Sequence, residues 1–156
     1  IKLVCYKSIY YVTPNPSWDN LELDDIDRPL NKRGMRNAKQ FSKILDKRKF
    51  QISQIICSPS KRTTSTYDII SGSFDRSVKF TVDNGIYECP PNLLVRKIKK
   101  LKKNTLIIGH NPGLIESINV LCNSNIEHFP TCAFAIISFK NSWIINEILK
   151  PKNKNY

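Results

Sequence analysis

Histidine is scarce in this chain of 156 residues: only His110 and His128 are present. The cysteines are odd in number, at positions 5, 57, 89, 122 and 132, and no two have Cys-x-x-Cys spacing. That argues against a zinc site and against a disulfide framework. Reduced thiols in a cytoplasmic protein are the expectation, with three of the five in apolar surroundings as small core residues. No apolar run approaches the ~20 residues of a membrane span. Lys2 is followed by too short an apolar run for a signal peptide. No cluster of metal-ligating side chains is visible, and neither metal nor cofactor is expected. Repeats and linkers are absent too, so residues 1–156 read as one domain, with 150–156 a frayed tail.

Positive charge, by contrast, is abundant. The net charge of +12 favours anionic or phosphorylated partners. The run "RKIKKLKK" at 96–103 has Leu94, Ile98 and Leu101 on one helical face, which makes its lysines a solvated face. No aromatic-rich or helix-turn-helix pattern supports a nucleic-acid surface.

Strand and helix patterns alternate along the chain. Residues 1–6 form a short apolar strand. Residues 9–30 hold Pro14, Pro16, Pro29 and the acidic cluster "ELDDID" and read as a long loop, the kind that is often functional. A helix starts at Asn31, with Met35, Ala38, Phe41, Ile44 and Leu45 on its period. Then come a buried strand at 54–58 and a helix at 60–72 with Ser60 as N-cap. A strand at 78–82 is followed by a helix at 91–102 with Pro91 in its first turn. "NTLIIG" is a strand and 113–123 a helix aligning Leu114, Ile118 and Leu121. "CAFAIISF" and "SWIINEIL" close the chain as a hairpin around Lys140 and Asn141. This order predicts an α/β sandwich with a mostly parallel sheet and an antiparallel edge. Ligands of such sheets sit beyond the carboxyl ends of the strands. The loops that matter are then Cys5-Tyr6, Ser58 through Arg62, and Gly109 through Asn111.

His110 stands at a strand's carboxyl end and a helix's amino end. There it suits a phosphate oxygen or a proton transfer, and it equally suits a turn or cap. Arg62, in the first turn of its helix, can fork onto phosphate oxygens or be an ordinary surface arginine. Cys57 and Arg62 suggest a cysteine phosphatase only superficially. Four residues intervene rather than five, the loop lacks glycines, and Cys57 ends an apolar strand, where a thiol is inert. His128, in "NIEHFPT", reads as structural.

Five segments in order are similar to the SixA-type phosphohistidine phosphatases of the histidine phosphatase superfamily, over about residues 17–149. They are "SWDNLELDDIDRPLNKRG", "IICSPSKRTTST", "IYECPPNLL", "LIIGHNPGL" and "FPTCAFAII". The resemblance implies the phosphoglycerate mutase-like three-layer sandwich, with helices on both faces of the sheet. It implies phosphoryl hydrolysis from phosphohistidine or another phosphoprotein or phosphate ester. One histidine attacks phosphorus while a second histidine and arginines stabilise the equatorial oxygens. By this matching Arg28, Arg62 and His110 bind phosphate, His110 is the second, catalytic histidine, and Glu88 is a weak acid/base candidate.

The partner implied is a phosphorylated protein or small phosphorylated substrate, met by a monomer. The pattern fails at the attacking group. Where the family's first strand ends in Arg-His, this reading finds Cys5 and Tyr6, followed by eight apparently inserted residues, "IYYVTPNP". Arg to Cys and His to Tyr can each arise by a single C-to-T change in a codon's first position. Cys5 or Tyr6 would have to substitute as nucleophile. Otherwise the chain is an impaired phosphatase, or a non-catalytic phosphate-binding pseudophosphatase.

Overall fold

In a computed structural model, which describes residues 7–12, 17, 19–129 and 133–150, the apolar runs pair into one six-stranded sheet. β1 (Lys7–Val12), β2 (Gln54–Cys57), β3 (Lys79–Val82) and β4 (Thr105–Ile108) are parallel, in the order β3-β2-β4-β1. β5 (Phe134–Phe139) runs antiparallel to β1, and β6 (Trp143–Leu149) pairs antiparallel with β5 at the edge. The expected parallel sheet with a C-terminal hairpin is therefore the one found.

Successive strand residues point to opposite faces, and the two cores follow that alternation. Leu106 and Ile108 of β4, Phe134 and Ile136 of β5, and Ile55 and Cys57 of β2 pack on one side with Phe41, Leu45 and Ile70. These last belong to α1 (Lys32–Arg48) and α2 (Lys61–Ile70). Ile107, Ala135 and Ile137 face the other side, against Leu94, Ile98, Leu114 and Ile118. Those helical residues lie on α3 (Pro91–Lys100) and α4 (Gly113–Cys122). All four β4 residues are buried, as expected for a central parallel strand covered on both faces.

Helix starts follow local chemistry. The Asn31 side chain accepts the Gly34 amide at 2.6 Å and caps α1. Ser60 accepts the Thr63 amide at 3.3 Å and caps α2 as expected. Lys49 ends α1 in the left-handed region at φ 48°, the usual stop for a helix although glycine more often occupies it. The buried stripe of α1 is Gly34, Ala38, Phe41 and Leu45, whereas Met35 is 42% exposed. Gly34, invisible to an apolar count, takes the buried position in the first turn.

The first strand departs most from the sequence reading. β1 runs over 7–12, and its Ile9 is fully buried in the α3/α4 core. Four residues of the supposed insertion, Ile9 to Val12, are therefore strand and not loop. Both the run at 1–6 and the run at 8–12 have strand composition. Composition does not single out the run at 8–12 as a central strand; its pairing does, because register is set by the neighbours. Here Val12 lies in register with Ile108 of β4 and with Phe134 of β5. Residues 1–6, with Cys5 and Tyr6, lie outside the described residues, as does the tail at 151–156.

Candidate functional site

α2, which follows β2, packs on one face of the sheet, and α4, which follows β4, packs on the other. The connections leaving these neighbouring strands diverge, and the crevice between them is where such a sheet admits a ligand. A cavity of about 410 Å³ opens there, lined among others by Arg62, His110, Asp25, Tyr87 and Glu88. Two of the sequence candidates are in direct contact in it: Arg62 Nη2 lies 3.2 Å from His110 Nδ1.

That contact sets the state of the imidazole. A guanidinium has donors only, so Nδ1 accepts from Arg62. Nε2 then carries the hydrogen and donates to Ser58 Oγ at 2.6 Å. Burial, and after it the adjacent Arg62 charge, lower the His110 pKa from 6.5 to about 4, against the opposing pull of Asp25. The ring is neutral in the folded protein at physiological pH. Ser58 is fully buried at the end of β2, and its carbonyl accepts from Thr63 Oγ1 at 2.7 Å. The first turn of α2 and the end of β2 thus hold the histidine's partner rigidly.

Arg62 is itself tied down. Its side chain is only 8% exposed, and Nη2 lies 3.0 Å from Asp25 Oδ2. Nη1 donates to the Asp25 backbone carbonyl at 2.7 Å. The Tyr87 hydroxyl donates to the same Oδ2 at 2.7 Å, and its ring meets the His110 ring edge-on at 5.4 Å. The Tyr87 hydrogen bond, aided by Arg62 and opposed by burial, lowers the Asp25 pKa below 3.8. Burial and the Asp25 carboxylate raise that of Tyr87 to about 12.

The other candidates fall out as follows. Glu88 reaches the cavity wall from a left-handed backbone, φ 53°, a conformation uncommon outside glycine. Arg28 is 8% exposed and donates from Nη1 to the Asn20 carbonyl at 3.0 Å, and it is not among the residues lining this cavity. His128 is exposed and also off the cavity. Cys57 is fully buried in the α1/α2 core, its thiol pushed up to about 12 by burial. That removes the cysteine phosphatase reading. Among the described residues no group of His, Cys, Asp and Glu is placed to hold a metal ion.

Sequence reasoning missed Asp25 and Tyr87 as site residues, and placed Ser58 in a site loop without giving it a role. The signals were present but general: an acidic cluster in a long loop, a tyrosine before a helix, and a serine at a strand end.

The place where the first histidine motif should fall lies outside the described residues, and only chain order bears on it. Val12 pairs with Ile108. Pro14 stands two residues past Val12 in the chain, as His110 stands two past Ile108. Cys5 and Tyr6 precede β1 and so do not follow its carboxyl end in chain order. Thr13 to Pro16, like Cys5 and Tyr6, lie outside the described residues.

Comparison with known proteins agrees with this geometry. Residues 18–92 match the profile of the histidine phosphatase superfamily (branch 1), a span that includes Arg28, Arg62 and Glu88. An uncharacterised chloroplastic protein of Arabidopsis thaliana is 29% identical over 140 residues, which is 81% of this chain, and the chain spans 64% of that protein's length. The SixA structure from Agrobacterium tumefaciens superposes with a TM-score of 0.83 at 18% identity, covering 93% of this chain and 98% of that one. A SixA protein histidine phosphatase complexed with tungstate gives 0.79 at 19% identity, covering 92% and 97%. At these identities the structural likeness speaks for the fold.

Proposed function

We propose that this chain, whose residues 18–92 match the histidine phosphatase superfamily profile and whose fold is SixA-like, is a member of that superfamily, and that its cavity binds the phosphoryl group of a phosphorylated protein or small phosphorylated molecule, with hydrolysis impaired. The contact of buried Arg62 with His110 at the carboxyl ends of β2 and β4 carries this reading. A phosphoryl group in transfer needs positioned positive charge and hydrogen-bond donors, and that half of the machinery is present. Arg62 supplies the charge. Once Nδ1 is released by Arg62, the neutral His110 ring offers a group able to exchange a proton with a phosphate oxygen.

The attacking half is missing. A phosphohistidine route needs two imidazoles at one site, and the chain has two in all. One is His110, whose Nε2–H is engaged by Ser58. The other, His128, is exposed and lies off the cavity. In chain order, Thr13 and Pro14 follow β1, and neither offers a nitrogen nucleophile. Without it, turnover falls by many orders of magnitude, because members of a catalytic unit fail together. The endpoint is a phosphate-binding pseudophosphatase.

No helix among the described residues is long and apolar enough to cross a membrane. The five cysteines suit a reducing compartment, which the cytosol provides. The Arabidopsis relative, described as chloroplastic, makes a plastid interior the second site to examine.

The test is phosphate release from a phosphohistidine substrate together with calorimetric binding of inorganic phosphate, for the parent, His110→Ala and Arg62→Gln. Binding lost in Arg62→Gln, with no release by any of the three, supports the reading. Release that disappears in His110→Ala shows an intact hydrolase instead.

A further inference from the structure

The Nη2 end of the Arg62 guanidinium is not open to an incoming anion. Both Nη2 hydrogens are engaged, one by Asp25 Oδ2 at 3.0 Å and one by His110 Nδ1 at 3.2 Å. Nη1 donates to the Asp25 carbonyl at 2.7 Å. The Tyr87 hydroxyl has a single hydrogen and gives it to the same Oδ2 at 2.7 Å. Two donors from separate elements thus converge on one carboxylate oxygen beside a buried arginine. That is the coordination an oxyanion ligand receives in such a pocket.

Asp25 also lines the cavity, and its side chain is 46% exposed. The carboxylate therefore stands between the arginine and anything entering. Its carrier is light. The single 3₁₀ turn Asp25–Asp27 has no buried residue, and Asp24 before it makes no side-chain capping bond. Withdrawing this turn takes no buried residue out of the core, which is the mark of a low-stability segment.

We propose that Asp25 is the specificity-determining residue of this cavity: its carboxylate fills the oxyanion seat formed by Arg62 and Tyr87, and a phosphoryl ligand binds only by displacing it. The inference rests on the phosphate-binding reading of the cavity. Two anions cannot share the seat, because like charges placed together are strongly unfavourable. Free phosphate gains only the seat's own donors and binds weakly. A phosphorylated protein or larger molecule also touches the Tyr87 to Cys89 wall and the start of α4, and those contacts offset the displacement. Asp25 thus favours large phosphorylated ligands over the free ion.

The experiment is titration of the full chain with inorganic phosphate by calorimetry, for the parent, Asp25→Asn, Asp25→Ala, Arg62→Gln and Asp25→Asn/Arg62→Gln. If the seat is open about a tenth of the time, removing the competing charge tightens phosphate about tenfold. Asp25→Asn keeps the backbone contact and the side-chain shape, and Asp25→Ala tests the charge without them. Tighter binding in both, lost when Arg62→Gln is added, is the expected result. Equal or weaker binding in both, with parent binding still lost in Arg62→Gln, overturns the proposal and leaves the phosphate reading standing. In that case Asp25 only orients Arg62. If phosphate binds none of the proteins, or binds regardless of Arg62, the reading and the proposal fall together.

Discussion

His110 should make the stability of the fold depend on pH within a narrow window. Burial first, and the Arg62 charge second, take its pKa from 6.5 to about 4. Between those pH values the unfolded chain binds a proton at residue 110 that the folded chain refuses. Stability therefore rises with pH across the window, and is lost as pH falls from about 6.5 toward about 4. A depression of that size corresponds to at most ~3 kcal/mol. The ring is only partly buried, and solvent screening brings the expectation to ~2 kcal/mol. Asp25, held below 3.8 mainly by the Tyr87 hydroxyl, adds its own loss only at more acid pH. Urea unfolding near pH 7 and near pH 4.5 measures the effect in the parent and in His110→Gln, which has no group titrating there. The parent should lose ~2 kcal/mol more than the variant. With just two histidines in the chain, imidazole NMR signals give the pKa directly, and His128→Gln assigns them. A His110 ring that titrates at or above 6.5, or equal acid losses in parent and variant, would refute the reasoning.

The other expectations draw on separate parts of the molecule. Ser58→Ala leaves the His110 Nε2–H without its 2.6 Å acceptor, costing ~1–3 kcal/mol in urea unfolding, and ¹⁵N NMR should show the ring's tautomer disturbed. Cys57, fully buried with a thiol raised to about 12, should resist iodoacetamide at neutral pH until the protein unfolds, as read by mass spectrometry. Ile118→Ala empties a fully buried position in the α3/α4 core and should cost ~2–5 kcal/mol in thermal or chemical unfolding. Thr13→Arg/Pro14→His should restore phosphate release from a phosphohistidine substrate, whereas Cys5→Arg/Tyr6→His should not. The opposite result would return the first motif to residues 5 and 6.

The parts of the fold that could be read from the sequence are those controlled by nearby residues. Ser60 caps α2 and Pro91 begins α3 because a cap or a fixed φ acts within one turn. "TLII" is legible as a central strand because burial on both faces demands an unbroken apolar run. Met35 misled for a related reason: an apolar count cannot register that the neighbouring Gly34 holds the buried position while Met35 is exposed. At the site, Arg62 and His110 were visible because each stands at a junction between strand and helix. Asp25 and Tyr87 were not, since their roles arise only where two distant loops meet on one carboxylate oxygen.

By itself, then, the sequence determined the alternation of strands and helices, the single crevice-bearing sheet, and the scarcity of imidazole, with His128 the one histidine besides His110. The tertiary structure alone decided that the run at 7–12 pairs as β1, because register is chosen by β4 and β5 and not by composition. It alone decided also that the arginine of the cavity meets an internal carboxylate, because such a contact joins residues 37 positions apart and no local rule of chain chemistry reaches that far.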